Sequence, residues 1–320
     1  MMKRMALLTS GGDAPGMNPC IRAVVHEAEE RGIEVVAFRR GYSGLLDNDF
    51  FLMKREHTSG IIQRGGTILL SARCSEFKYD DAQKEAIKNL IENYCDGLVV
   101  VGGDGSLRGA MTIADRGVSV IGIPASIDND IYGTDMALGV DTALNNIINV
   151  IDKIKDTASS HERTFIIEVM GRSCGYLALV SAIASGAEVA IIPEVAYDME
   201  KIAARIHERF RRKANSNIIV VAEGASTAYQ VGRQLSKYGN LDFKITVLGH
   251  LQRGGSPSSY DRLLGSKLGS AAVCELLKGN SSCMVGMING EVVTTSMDVV
   301  TKRKKEFDAK LIRLAEMLGN

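Results

Sequence analysis

Tryptophan is absent from this 320-residue sequence and aromatic residues make up only 5% of it. No basic patch and no aromatic stacking motif are present, so nothing supports nucleic-acid binding. Net charge is missing as well, since 38 Lys and Arg offset 38 Asp and Glu. No overall field draws the chain to nucleic acid or to an anionic membrane, and an anionic ligand has to be held by local clusters. No run of about 20 apolar residues occurs, so nothing is expected to span a membrane. The apolar run near the N-terminus stops at Thr9, too short for the core of a secretion signal. Cys20, Cys74, Cys95, Cys174, Cys274 and Cys283 are scattered without a C-x-x-C pair. That fits neither a zinc site nor a disulfide framework, and points to reduced thiols in the cytoplasm. The G-x-x-x-x-G-K-[ST] loop is missing, which excludes P-loop kinases. There is no repeat, low-complexity tract or Pro/Ser-rich linker, so composition places no domain boundary.

What is present, 45% hydrophobic and 24% charged residues, describes a globular chain with one large or two medium domains. Nine short apolar runs predict strands: Met5–Thr9, Ile33–Phe38, Gly97–Val101, Ser119–Ile123, Thr164–Val169, Val189–Pro193, Asn217–Ala222, Phe243–Leu248 and Cys283–Ile288. They are β-branched and nearly continuous, as parallel strands covered on both faces are. Between them lie stretches with helical spacing, such as Ile21, Val24, Val25 and Ala28, or Ile147, Ile148, Ile151 and Ile154. The alternation predicts an α/β chain with a doubly wound sheet. Glycines and short polar residues gather just after the strands, in TSGGDAPG (9–16), VGGDGS (101–106), PASIDND (124–130), VMGRSCG (169–175) and LGHLQRGGS (248–256). In such a sheet these are the carboxyl ends, where ligands bind.

Each loop has a chemical reading and a plain one. The glycine-rich turn from Ser10 to Asn18 suits an anion, because backbone N–H groups and a helix N-terminus converge there; read alone, it is equally an ordinary tight turn. Gly102–Ser106 repeats the design with Asp104 placed to hold Mg²⁺ beside phosphates, although Asp104 also suits a helix cap. Ser126–Asp130 offers two carboxylates and a hydroxyl, enough for a base and its support at a sugar hydroxyl, with Asp128 the candidate base; a bare DND is otherwise an Asx-turn. Arg172 stands where it can stabilise charge on a transferring phosphoryl group. His250 and Arg253, among three glycines, suit a second phosphate, whereas a lone histidine is more often structural.

Together these loops give the chain a resemblance to the bacterial ATP-dependent 6-phosphofructokinases, from Leu7 to about Leu277. TSGGDAPGMN, GGDGS, IDND, EVMGR, GHLQRGGSP and YDR carry it. Lipid and NAD kinases share only the GGDG loop. The resemblance implies two Rossmann-like doubly wound domains of three-layer α/β/α architecture with mainly parallel sheets. A nucleotide domain would span 1–138 plus 251–301, and a fructose 6-phosphate domain 139–250 plus 302–320. It implies that Gly12, Tyr42, Arg73, Cys74, Gly103, Asp104, Gly105 and Ser106 hold ATP, with Asp104 on Mg²⁺. Asp128 would be the general base, supported by Asp130 and Ser126, and Arg172 the transition-state arginine. Fructose 6-phosphate would lie against Ser126, Ile127, Asp128, Met170, Gly171, Arg172, Glu223, His250 and Arg253, with Arg163 and Lys244 reaching it from a neighbour in a homotetramer. An effector site for ADP or phosphoenolpyruvate would use Arg22, His26, Arg55, Lys155, Gly186, Glu188, Arg212 and Lys213.

Departures from the family pattern matter. Pyrophosphate-using relatives typically carry Asp and Lys where this chain has Gly105 and Ala125, which favours ATP. Ser126 and Lys244 stand where Thr and Arg are usual, so weaker sugar-phosphate binding is expected. His26 and Lys155 replace arginines, and Ala214, Asn215 and Ser216 replace a basic run, so effector control is expected to be weak or absent. Two other readings stay open from sequence alone: a kinase for another ketose phosphate, such as tagatose 6-phosphate or sedoheptulose 7-phosphate, and a catalytically silent binding subunit.

Overall fold

The computed structural model describes residues 2–161, 163–212, 214, 216–239 and 241–319. In chain order its elements are β1 (Arg4–Ser10), α1 (Met17–Glu30), β2 (Glu34–Phe38), α2 (Tyr42–Leu46), β3 (Phe50–Met53), α3 (Asp80–Glu92), β4 (Gly97–Gly102), α4 (Asp104–Ala114), β5 (Ser119–Pro124) and α5 (Val140–His161). There follow β6 (Thr164–Val169), α6 (Tyr176–Ser185), β7 (Val189–Ile191), α7 (Met199–Arg211), β8 (Asn217–Ala222), α8 (Ala228–Leu235), β9 (Phe243–Val247) and α9 (Ser259–Leu277). The chain closes with β10 (Cys283–Ile288), β11 (Glu291–Ser296), α10 (Met297–Lys302) and α11 (Ala309–Gly319).

The chain divides into two compact units, Met1–Thr142 with Arg253–Lys305, and Ala143–Gln252 with Glu306–Asn320. The first holds a seven-stranded sheet in the order β11-β10-β5-β4-β1-β2-β3. Its five inner strands run parallel, while β3 and β11 pair antiparallel at the two edges. Alternate residues of β1 and β4 (Ala6, Leu8, Leu98, Val100) pack on one face against Leu45, Leu90, Ala110 and Ile113 of α2, α3 and α4. On the other side α1 packs against α9. Here Gly265 and Gly269 of α9 lie so close to the α1 backbone that an added Cβ would come within 2.7 Å of Gly16 O and 2.6 Å of Cys20 O. The second unit holds a four-stranded parallel sheet in the order β7-β8-β6-β9. One of its faces carries α7 and α8, through Ala203, Ile206, Val231 and Leu235 against Ile166, Ile219 and Val221.

All nine runs read from the sequence form strands, and two strands were not legible. β3 is only four residues long, and β11 is largely exposed and ends in three hydroxyl residues, Thr294, Thr295 and Ser296. The strands are shared between two sheets, so Arg172 and His250 follow strands of a different sheet from Asp128. No helix among the described residues is long and apolar enough to cross a membrane.

Candidate active site

In the first unit the pairing register sets Ser10 beside Gly102 and Gly102 beside Pro124. The loops after β1, β4 and β5 therefore leave the sheet side by side, where strand order reverses, which is where open α/β sheets hold ligands. A cavity of about 690 Å³ opens there, lined among others by Gly12, Tyr42, Arg73, Cys74, Gly105 and Ser126. That volume lies within the usual range for a small-molecule or cofactor site.

Its walls are built by close approach. Gly102 has no room for a side chain, because a Cβ would come 2.6 Å from both Ser10 O and Ser106 Cβ. At Gly105 an added Cβ meets nothing within 4 Å, so that position faces open space in the cavity wall. Gly103 and Gly105 bracket the start of α4, where Ser106 N already donates to Gly103 O but the Asp104 and Gly105 amides precede the helical ladder and so offer donors and a partial positive charge to an anion. Asp104, in that first turn, is bound by Arg108 Nε at 3.0 Å and remains substantially exposed. Tyr42 is buried: its hydroxyl donates to Ser106 O at 2.6 Å, and its ring stacks on Phe77 with centroids 4.1 Å apart. Burial pushes the Tyr42 phenol well above its usual pKa, so it stays neutral and acts as a brace.

No motif flagged Phe77, Arg108 or Thr112, yet all three line the cavity. Arg253 belongs to this unit and its guanidinium lies over Gly12, where a Cβ would sit 2.6 Å from Nη1; that nitrogen donates to Asp13 O at 3.0 Å.

The Ser126–Asp130 loop borders the same cavity. Asn129, only 1% exposed, adopts φ 54° and fixes the turn. Its amide nitrogen donates to Asp135 O, and its side-chain oxygen accepts from the Ala137 amide. Ser126 Oγ donates to Asp130 Oδ1 at 3.0 Å. Asp128 between them is half-buried, with Oδ1 out of solvent contact. Ile127 is fully buried, so its side chain belongs to the core and only its backbone is left for a ligand.

The second unit has a matching edge. Register pairs Val169 with Ala222 and Glu168 with Val247, so the loops carrying Gly171 and Arg172, Glu223, and His250 leave neighbouring strands on one side. Arg172 Nε lies 3.5 Å from Glu223 Oε1 and is 73% exposed, free to move toward an anion. Met170 is buried with its amide donating to Gln252 Oε1, so it supports the loop and its side chain contacts the interior. Arg163 and Lys244 sit at the other end of this sheet, both drawn to Asp242, at 2.7 and 3.4 Å. The hydrogen bond from Arg163 holds the Asp242 carboxyl below the usual carboxylate range. A six-residue strand spans roughly 20 Å, so β6 separates these two cations from Arg172 and His250 within one chain.

The effector candidates are distributed over both units. In the first, Arg55 is bound to Glu29 and Glu30 and donates to His26 O. The His26 pKa is lowered by burial and by the charges of Arg22 and Arg55. In the second, Lys155 donates to Ser185 O and Gly186 O, Glu188 binds Arg209, and Arg212 binds Glu208. Lys213 and Asn215 lie outside the described residues.

The profile of the family described as phosphofructokinase matches residues 4–276. An ATP-dependent 6-phosphofructokinase of Staphylococcus aureus is 50% identical over 321 residues, covering 99% of this chain and all of that protein. One from Thermotoga neapolitana is 48% identical over 319 residues, with the same coverage. Among solved structures, phosphofructokinase from Saccharomyces cerevisiae superposes with a TM-score of 0.87 at 38% identity. The match takes in 94% of this chain but 45% of the yeast chain, so this chain spans less than half of that relative. A pyrophosphate-dependent phosphofructokinase from Marinobacter aquaeolei gives a TM-score of 0.88 at 21% identity, over 99% of this chain and 91% of that one, a likeness of fold alone.

Proposed function

The chain belongs to the phosphofructokinase family, and from that premise we propose that it transfers the γ-phosphoryl group of ATP to the 1-hydroxyl of fructose 6-phosphate, giving fructose 1,6-bisphosphate and ADP. The observation that carries this reading is the convergence of the first-unit loops on one cavity, with an open glycine wall and a braced carboxylate loop side by side. Initial rates with ATP and pyrophosphate as donors, and with a panel of ketose phosphates as acceptors, test it. ATP with fructose 6-phosphate should give the highest kcat/KM, and better turnover with pyrophosphate would refute the donor assignment.

In this mechanism the Asp104 and Gly105 amides of α4 and the loop at Gly11 and Gly12 hold the triphosphate, and Arg73 and Cys74 line its path. Mg²⁺ fits the donor set, because it takes one or two carboxylates plus phosphate oxygens and keeps its waters. Asp104 would hold it once released from Arg108, and the ion would supply charge neutralisation on the phosphates. Asp128 accepts the proton of the attacking hydroxyl. Asp130, held by Ser126, keeps the loop in shape, and Arg172 moves from Glu223 to the charge developing on the transferring group. Glu223 and His250 position the sugar phosphate. Gly105→Asp is expected to raise KM for ATP at least about tenfold, since it projects a carboxylate into open space beside the phosphates; an unchanged KM would place the phosphates elsewhere.

Arg163 and Lys244 serve the sugar phosphate of a neighbouring subunit in a cytoplasmic homotetramer. Their place at the opposite sheet end from Arg172 supports this, because one chain cannot bring both ends to one small ligand. Light scattering should return four chains. Mixing Arg172→Ala with Arg163→Ala/Lys244→Ala, each inactive alone at low fructose 6-phosphate, should recover about a quarter of wild-type activity through hybrid pairs. No recovery would contradict the shared site.

Responses to ADP and phosphoenolpyruvate should be weak or absent, since Arg55, Lys155 and Arg212 are already engaged within their own units. Initial-rate curves with each effector check this, and strongly sigmoidal, phosphoenolpyruvate-sensitive curves would contradict it.

A further inference from the structure

Between Thr58 and Ser75 the chain forms neither helix nor strand. Connections that long without structure of their own are uncommon in compact domains and are usually functional. This one ends at the cavity of the first unit, where Ala72, Arg73 and Cys74 form part of the wall. With no ladder of its own, the segment has to find its backbone partners elsewhere.

Asn18, the second residue of α1, supplies most of them. It is fully buried. Its amide nitrogen donates to Arg64 O at 2.9 Å and to Gly65 O at 3.2 Å, and its side-chain oxygen accepts from the Ile68 amide at 2.8 Å. Asparagine is a poor helix former, and here all three bonds leave the helix for one distant segment. Both amide donors are spent on it.

Thr9, near the end of β1, grips the same segment closer to the cavity. It too is fully buried. Its Oγ1 donates to Leu70 O at 2.9 Å and lies 2.9 Å from Thr67 Oγ1. Two further bonds follow, from the Arg40 amide to Leu69 O at 2.8 Å and from Ser71 Oγ to Gly11 O at 2.6 Å. Neither Thr9 nor Asn18 lines the cavity. The stretch that offers Gly11 and Gly12 to a phosphate chain therefore also holds the segment that offers Arg73 and Cys74.

We propose that Asn18 and Thr9 are positioning residues for the phosphoryl donor, fixing the 59–74 segment so that Arg73 and Cys74 stand beside the Gly11 and Gly12 loop before the nucleotide arrives. This assignment rests on the reading of that cavity as the ATP site. When the grip is lost, ATP has to order the segment as it binds, and its apparent affinity falls with the fraction of time the segment is in place. The chemical step is spared, because the Ser126–Asp130 loop is braced by bonds of its own.

Two substitutions at Thr9 separate positioning from packing. Thr9→Val keeps a β-branched side chain suited to a strand but removes the hydroxyl, whereas Thr9→Ser keeps the hydroxyl and loses a buried methyl. A role in packing alone would make serine the worse replacement. Positioning makes it valine.

The test is calorimetric binding of Mg-ATP to the full chain, with amide exchange at Ile68 and Leu70 followed in the absence of nucleotide. Asn18→Ala should bind ATP about tenfold more weakly and Thr9→Val about threefold, as loss of neutral hydrogen bonds predicts. Exchange at Ile68 should quicken in Asn18→Ala. Thr9→Ser should bind ATP like the wild type even if it melts earlier. In steady state the KM for ATP should rise while kcat and the KM for fructose 6-phosphate stay within about twofold. If Asn18→Ala fails to fold, the Thr9 pair decides the matter. Unchanged ATP affinity in Thr9→Val, or weaker binding by Thr9→Ser than by Thr9→Val, would overturn this assignment alone. A wild-type protein that bound no ATP would strike the function proposed above and this assignment with it.

Discussion

Replacing Asp128 with Asn is expected to lower kcat about 10²–10⁴-fold, the range that a positioned general base contributes, while both KM values stay within a few fold. The substitution keeps shape and volume but removes the group that accepts the proton of the attacking hydroxyl. The loop should survive it, because its conformation is fixed by neighbours: Asn129 bonds Asp135 O and the Ala137 amide, and Ser126 bonds Asp130. A kcat drop with retained sugar-phosphate binding therefore isolates chemistry from folding. Steady-state ADP formation measures it, and an unchanged kcat would remove Asp128 from the proton transfer.

Asp261→Ala is expected to give the largest stability loss, about 3 kcal/mol or more. Asp261 is fully buried at the start of α9. Its carboxylate accepts from the Gly139 amide at 2.9 Å, the Thr142 amide at 2.8 Å and Thr142 Oγ1 at 2.6 Å. Thr142 Oγ1 in turn accepts from the Ser258 amide at 2.9 Å. The carboxylate thus ties the beginning of α5 to that of α9. Burial raises its pKa while these donors oppose the rise. Alanine would leave three buried donors without an acceptor, each costing about 1–3 kcal/mol. For a unit of this size that corresponds to a fall in Tm of roughly 6–12 °C. Calorimetry of the purified variant measures it, and a shift below about 2 °C would show that water replaces the carboxylate.

How far the sequence reveals this design depends on which interactions are local. The nine β-branched runs became strands because continuous apolar runs fit sheets buried on both faces. β3 and β11 do not stand out in the sequence because antiparallel edge strands need neither length nor a continuous apolar run: Phe50–Met53 is only four residues long, and Glu291–Ser296 has just two adjacent apolar residues. The carboxyl-end loops were legible from glycine and short polar clusters. What stacks on or crosses to them was not. Tyr42 and Phe77 meet from positions 35 residues apart in the chain, and no spacing rule connects them. Arg253 reads as one motif with His250, yet the boundary between the units falls between Gln252 and Arg253. Ile127 and Met170 sit within functional loops, but side-chain direction sends both inward.

The reaction can be watched by ³¹P NMR of the purified chain with Mg-ATP and fructose 6-phosphate. ADP and a new sugar 1-phosphate ester signal should grow together, one for one. ATP consumption without that ester, or an ester formed only when pyrophosphate replaces ATP, would contradict it.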